Sequence, residues 1–415
     1  MEQHLPKFPL PQGYDTADHY LTDLVLAGAN RLYKDTFSPG VTKRIKQELA
    51  LIRSQKSADY FLVYWDLARF AKTNHILYDC THGTTICGIV PYCLGITTID
   101  PIQAGFLSEC FMFSAKPQVF FTCQESRQQE VMDYLFSMFG EDHVSYMKTQ
   151  TSDGRYEGFS TGRILMTPQP LKEYFTLTEY KGKLVPDKDA KEIYDAGFAI
   201  FDIGANSRLD KISKILSKDT MYRDLAQIPL EDEEVLDVLF HPKAKSQWCG
   251  DKRKEVYLPE IEEKTFEHLV DLTALMNQED DTIIYTYIQY AQKRWTPIKR
   301  HPLVASYFNT TLGVWVYPEQ TLRILEDICG LSGSEACLWF RHSSSQTEQA
   351  DLLEQKARSN AQKRGLQESD INEIFEYRWF NRWKAWRHYN YLECLRNYQD
   401  AWLKKYYPDE YTQFV

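Results

Sequence analysis

A mixed α+β fold, with strands confined to the first half and helices filling the second, is what this sequence predicts, and three observations lead to it. Short runs rich in β-branched and aromatic residues at 115–123 and 197–204 are too brief for helices and read as buried strands. Segments of helical length with amphipathic or wholly apolar character accompany them at 41–52, 60–71 and 125–139. From 207 onward the pattern is almost entirely helical, punctuated at Pro229, Pro242, Pro302, Pro318 and Gly330.

Taken in order, residues 1–40 carry Pro6, Pro9, Pro11 and Pro39 with little periodicity, and are expected to form a linker laid against a neighbour. Val41, Ile45, Leu49 and Ile52 recur at helical spacing with Lys43, Arg44, Lys46 and Gln47 between them, an amphipathic helix. Residues 60–71 are apolar nearly all round, as in a helix buried in a larger core, and Asp66 within it reads as a satisfied core carboxylate. Residues 150–192 are polar and rich in Gly, Pro, Lys and Tyr, which predicts a small subdomain or excursion. The acidic run at 230–237 follows Pro229 and reads as a helix first turn, with carboxylates at the positive end of the dipole.

Composition narrows the function classes. With 43% hydrophobic and 14% aromatic residues, 415 residues suffice for two or three packed domains. No apolar run approaches the ~18–20 residues a membrane helix needs. The first residues lack the basic-then-apolar pattern of a secretory signal, so a cytoplasmic protein is expected. Nine cysteines are scattered without a CxxC pair, the spacing of reduced, buried thiols rather than of a zinc site or disulfide framework. A formal charge of −10 disfavours gripping nucleic acid with the whole surface, yet leaves room for a local basic groove.

A series of landmarks then follows in a fixed order: RIKQELALI (44–52), DYFLVYWDLARFAK (59–72), YCLGITTIDPI (92–102) and EVMDYLFSMFGEDHV (130–144). FDIG (201–204), IPLEDEEVLDVL (228–239), GVWVYPEQ (313–320), GLSGSEA (330–336), FNRWKAW (380–386) and AWLKKYYP (401–408) continue it. In this order and spacing the chain resembles the bacterial C-family replicative polymerases, the alpha subunit of DNA polymerase III. The resemblance implies a palm related to the polymerase-beta nucleotidyltransferases followed by helical fingers. It assigns 1–40 to an N-terminal linker, 41–148 to the first part of the palm and 149–190 to a reduced thumb. Residues 191–206 become the closing palm strand, and 207–415 the fingers. The family's phosphoesterase-like, duplex-binding and clamp-binding parts have no counterpart in these residues.

The resemblance also says where chemistry belongs. Two-metal nucleotidyl transfer needs carboxylates holding two divalent ions roughly 3.5–4 Å apart. The family supplies them from a strand of alternating acids after a proline, plus one acid on a neighbouring strand. Here Pro117 is followed by Gln118, Phe120 and Thr122 at the alternating positions, and Asp202 alone keeps the family's third acid. Glu125, the nearest acid, has the wrong parity for the 118/120/122 face. The family's Gly-Arg-Gly-Ser turn before a helix, which cradles phosphate, becomes Thr81, His82, Gly83 and Thr84. That leaves either a residual anion pocket of His82, Gly83 and Thr84 or simply a tight loop.

In the fingers, Phe340, Arg341, Ser345 and Gln346 stand where the family has arginines and lysines, so Arg341 is the residual nucleotide-binding cation. The family's Arg-Pro-Gly segment becomes Asn277, Gln278 and Glu279. Residues 375–390 interleave aromatics with Arg378, Arg382, Lys384 and Arg387. That is the chemistry of single-strand binding, but Phe375, Trp379, Trp383 and Trp386 also sit at the helical spacing of a core stripe. A second basic group, Lys243, Lys245, Lys252, Arg253 and Lys254, reads as solvated surface.

The losses fall on the chemistry and the retained matches on the frame. The leading expectation is therefore an inactive polymerase-like protein that needs no cofactor and binds primer–template DNA or a replisome component. One alternative is a minimal active polymerase using Mg²⁺ through Asp202. The other is a protein-interaction module without DNA binding.

Overall fold

A computed structural model of the chain describes residues 4–34, 38–79, 83–112, 118–150, 156–180, 182–217, 225–242, 252–278, 280–343, 347–376 and 386–412. The chain divides into two compact units, Met1–Ala226 and Gln227–Val415. The first is α+β and the second helical, as the sequence pattern leads one to expect.

The N-terminal unit is built from helices α1 (Ala17–Tyr33), α2 (Pro39–Ser54), α3 (Ala58–Thr73), α4 (Ile89–Cys93), α5 (Ser108–Met112), α6 (Gln128–Phe139), α7 (Ala190–Asp195) and α8 (Ser207–Leu216). Its strands are β1 (Tyr78–Asp79), β2 (Phe120–Gln124), β3 (Val144–Gln150), β4 (Tyr156–Met166), β5 (Leu177–Tyr180), β6 (Lys183–Pro186) and β7 (Ile200–Asn206). Five of them form one sheet in the order β1-β2-β7-β4-β3, in which β2 and β7 run parallel and the other neighbours antiparallel. β5 and β6 form a separate hairpin.

α3 explains why this sheet has a fixed register. Its residues 58–64, 66–68 and 71 are buried, so the helix is a core element on nearly every side. Tyr64 Oη donates to Val119 O at 2.9 Å and accepts from Asp202 N at 3.0 Å. Tyr60 Oη accepts from Val119 N at 3.1 Å. Tyr64 thus ties the head of β2 to β7, and Tyr60 holds the same residue, Val119, by its N–H. Asp66 is the satisfied core carboxylate expected, holding Arg69 at 2.5 Å and the Tyr134 hydroxyl.

α2 begins at the Ser38 cap with Pro39 in the first turn and buries Val41, Ile45 and Ile52 as expected. It departs from the simple amphipathic reading at Arg44 and Glu48, both buried. Glu48 accepts from Ile89 N at 3.0 Å and Val90 N at 2.9 Å, and so caps α4 from another helix. Arg44 Nε donates to the same carboxylate at 3.2 Å, and its remaining nitrogens reach Phe106 O and Cys87 O.

Two expected boundaries are corrected. Residues 17–33 form a packed helix and not part of a linker over 1–40: Thr16 caps α1, and Leu21, Val25 and Ala29 bury one stripe of it at helical spacing. The prolines that suggested a linker lie outside this stretch. Nor does the sheet stop at 148, because β4 adds to β7 with Arg163 opposite Asp202, Ile164 opposite Phe201 and Leu165 opposite Ile200. Part of the segment that the resemblance assigns to a reduced thumb therefore belongs to the same sheet as β2 and β7. α8 itself packs against β2 within the first compact unit.

The C-terminal unit contains α9 (Glu233–Phe240), α10 (Lys252–Tyr257), α11 (Phe266–Met276), α12 (Asp281–Ala291), α13 (Pro302–Ala305), α14 (Pro318–Asp327), α15 (Gly333–His342), α16 (Glu348–Lys363), α17 (Glu368–Glu376), α18 (Arg387–Tyr406) and α19 (Pro408–Thr412). The acidic run after Pro229 does start a helix, with Asp232 accepting from Glu234 N and Val235 N at the cap. α18 packs along α11 and α9. Among the described residues no helix is long and apolar enough to cross a membrane. The described cysteines, 87, 93, 110, 123, 329, 337 and 394, are free and buried.

Candidate functional site

The alternation of β2 decides what the site contains. Val119, Phe121 and Cys123 are fully buried, which turns Gln118, Phe120 and Thr122 to the opposite face. In the parallel ladder Phe120 pairs with Asp202 and Thr122 with Gly204. The positions where the family carries acids thus line up beside Asp202, and Glu125 lies exposed beyond the strand in a short 3-10 turn.

Asp202 does not face an empty position. Arg163, its partner across β4, donates from Nε to Oδ1 at 2.8 Å. Burial pushes the Asp202 carboxyl above the usual carboxylate range, and the Arg163 guanidinium pulls it back. Arg163 escaped the sequence reading because its partner stands 39 positions away and only the sheet register joins them. A cleft of about 420 Å³ opens here, with Tyr60, Gln118, Arg163, Lys191 and Asp202 on its walls. We expect Arg163→Ala to move the Asp202 titration further upward, followed by carboxyl-carbon NMR. A downward move would mean that Arg163 does not stabilise the ionised form.

The phosphate side of the site is shaped by Phe120. Gly83 sits at φ +76°, a conformation that favours glycine. A Cβ placed there would come within 2.9 Å of the Phe120 ring. The ring therefore lies against the glycine that the resemblance assigns to phosphate. Thr84 opens the 3-10 turn that follows, and Thr85 Oγ1 donates to Gln118 O, tying this turn to the head of β2. The backbone N–H groups at the start of α4 are taken by Glu48. His82 lies outside the described residues.

Among the described residues this face carries two carboxylates: Asp202, ion-paired to Arg163 and flanked by an amide and a phenyl ring, and Asp79 on the edge strand opposite Thr122, with β2 between it and the strand of Asp202. Such a donor set does not fit two divalent cations, which want several oxygen ligands and no competing cation.

The fingers positions separate in the same way. Arg341 is exposed in the last turn of α15. Asn277 donates from Nδ2 to Asn390 Oδ1 at 2.8 Å and Gln278 from Nε2 to Val316 O at 2.9 Å, so both serve internal packing. Arg387, expected on a DNA-facing surface, is instead buried. It pairs with Glu267, lies 3.6 Å from Asp271, and donates to the Tyr317 hydroxyl at 3.1 Å. Its counter-charges sit more than a hundred positions earlier, which no local pattern reveals. Phe375 packs edge-on against Trp339, and Trp386 against Phe340. Arg378, Arg382 and Lys384 fall outside the described residues.

With this geometry in place, comparison with known families is informative. Residues 19–195 match the bacterial DNA polymerase III alpha NTPase domain, and residues 207–365 match the bacterial DNA polymerase III alpha subunit finger domain. The chain is DNA polymerase III alpha-like. An error-prone DNA polymerase of Bdellovibrio bacteriovorus is 22% identical over 98% of the chain and 46% of its own length. A DNA polymerase III subunit alpha of Halalkalibacterium halodurans is 24% identical over 98% of the chain and 44% of its own. That of Staphylococcus epidermidis is 24% identical over 90% and 42%. The DNA polymerase III alpha-like chain thus spans less than half the length of these relatives. Its palm sheet and helical second unit agree with the palm and fingers of the family.

Proposed function

We propose that this chain is a non-polymerising member of the DNA polymerase III alpha type, which binds primer–template DNA in replication without extending it and requires no metal. The carrying observation is the Asp202–Arg163 pair beside Phe120: the retained acid is neutralised from within the sheet, and its neighbour offers a ring instead of oxygen. Without metal a triphosphate has little to hold it, and the ring on Gly83 removes the backbone approach as well. The proposed DNA partner rests on the relatives, which are named DNA polymerases, and the proposed place of action is the cytoplasm.

The deciding experiment combines gel shift and primer extension on one primed template with Mg²⁺ or Mn²⁺. A shift that weakens steeply with salt, with no extension and no change in Asp202→Ala, is the expected result. Extension that Asp202→Ala abolishes would overturn the reading. Absence of any shift at low salt would remove the DNA part and favour a protein partner from the replication machinery.

A further inference from the structure

A single stretch of the C-terminal unit combines exposed aromatic and aliphatic side chains with cations. Tyr285 on α12 is 50% exposed, Trp295 48% and Ile298 63%. Isolated surface hydrophobics are ordinary, but these lie together: the Tyr285 and Trp295 rings meet edge-on, 5.5 Å between centroids. Lys293, Arg294 and Lys299 are exposed around them. Among the described residues Arg294 pairs with the exposed Glu262 at 3.6 Å, a weak surface pair.

The segment is held in place rather than draped. Lys293 takes a left-handed conformation at the end of α12, and the Arg294 and Trp295 N–H groups both bond back to Gln289 O. At the far end Arg300 is anchored by Gly313 O, by Glu373, and by the face of the Phe308 ring at 4.0 Å. Ordering cost has therefore been met before any partner arrives, which favours affinity.

We propose that residues 293–299 with the adjoining face of α12 form a binding surface for single-stranded nucleic acid. Bases stack on Trp295 and Tyr285, Ile298 covers a sugar or base edge, and Lys293, Arg294 and Lys299 take backbone phosphates. Stacking rings flanked by cations are the chemistry that tracks a single strand without reading its sequence. Three cations around the rings favour an anionic partner over a purely apolar one. In a chain of net charge −10 this local positive group also supplies the footprint that binding needs. The surface lies in a different unit from the Asp202 cleft, so its test is independent of extension activity.

The test is fluorescence anisotropy of a labelled oligo-dT 20-mer against the full chain over a salt series. Trp295→Ala is expected to weaken binding about five- to a hundredfold, the range of one stacked base, while Trp295→Phe retains most of the affinity. Lys293→Ala with Lys299→Ala is expected to weaken binding and to lower the salt slope by about 1.4, at ~0.7 per phosphate contact. These side chains are exposed, so unchanged thermal melts accompany the losses. The proposal is overturned if the wild-type chain fails to bind the oligonucleotide at low salt. It is equally overturned if the variants bind like the wild type, or if polyglutamate competes as well as the oligonucleotide does.

Discussion

Glu48→Ala is expected to destabilise the N-terminal unit by about 3–5 kcal/mol, the cost of removing one partner from a buried ion pair. The carboxylate is wholly buried, and three donors lose it together: Arg44 Nε and the Ile89 and Val90 N–H groups. Glu48→Gln keeps an oxygen for the backbone groups and strands only the Arg44 charge, so it should fall between alanine and wild type. Urea unfolding followed by a probe confined to the first unit measures the series. Equal stability of Ala and wild type would mean that water replaces the carboxylate.

The pair also sets a pH dependence. Burial pushes the Glu48 carboxyl from its ordinary 4.5 up to about 7, against the pull of Arg44 and the two backbone donors. The folded unit then binds a proton that the unfolded chain releases between those values, so its contribution is complete below about 4.5 and lost as pH rises towards 7. Glu48→Gln should flatten that slope. In the second unit Asp271 acts in the same direction, since burial raises it to about 6 despite Arg387.

The second large effect is a gain. Gln118→Asp and Phe120→Asp combined with Arg163→Ala should create a divalent-cation site, with Mn²⁺ binding at least tenfold tighter than in wild type. The register supplies the reason: position 120 pairs with Asp202, position 118 lies on the same strand face, and removing Arg163 frees the aspartate. Three carboxylates on one face meet the oxygen demand of a hard cation far better than one paired aspartate. Calorimetry reads the binding directly. Primer extension should still be absent, because the triphosphate side is not repaired. A variant that binds no better than wild type would show that the face itself, and not merely its residues, has moved away from metal geometry.

What could be read in advance follows physical range. The period of two in β2 is a local property, so the facing of Gln118, Phe120 and Thr122 was legible from sequence alone. The all-round apolarity of α3 and the cap after Pro229 are local in the same sense. β4 was missed because Gly158, Gly162 and its polar residues carry no alternation; pairing with β7 makes it a strand. α1 was missed because the prolines on either side outweighed the stripe of Leu21, Val25 and Ala29. The Arg163–Asp202 and Arg387–Asp271 pairs join residues far apart in the chain, and neither charge announces its partner.

The tyrosine pins described for α3 carry one more consequence. Tyr64 joins the head of β2 to β7 through main-chain atoms and Tyr60 holds the same peptide of Val119, so this part of the strand pairing does not depend on which side chains stand at 118, 120 and 122. That face can be rewritten residue by residue while its mounting stays true. The same sheet is therefore a chassis whose open face could be given new chemistry without first re-engineering the fold.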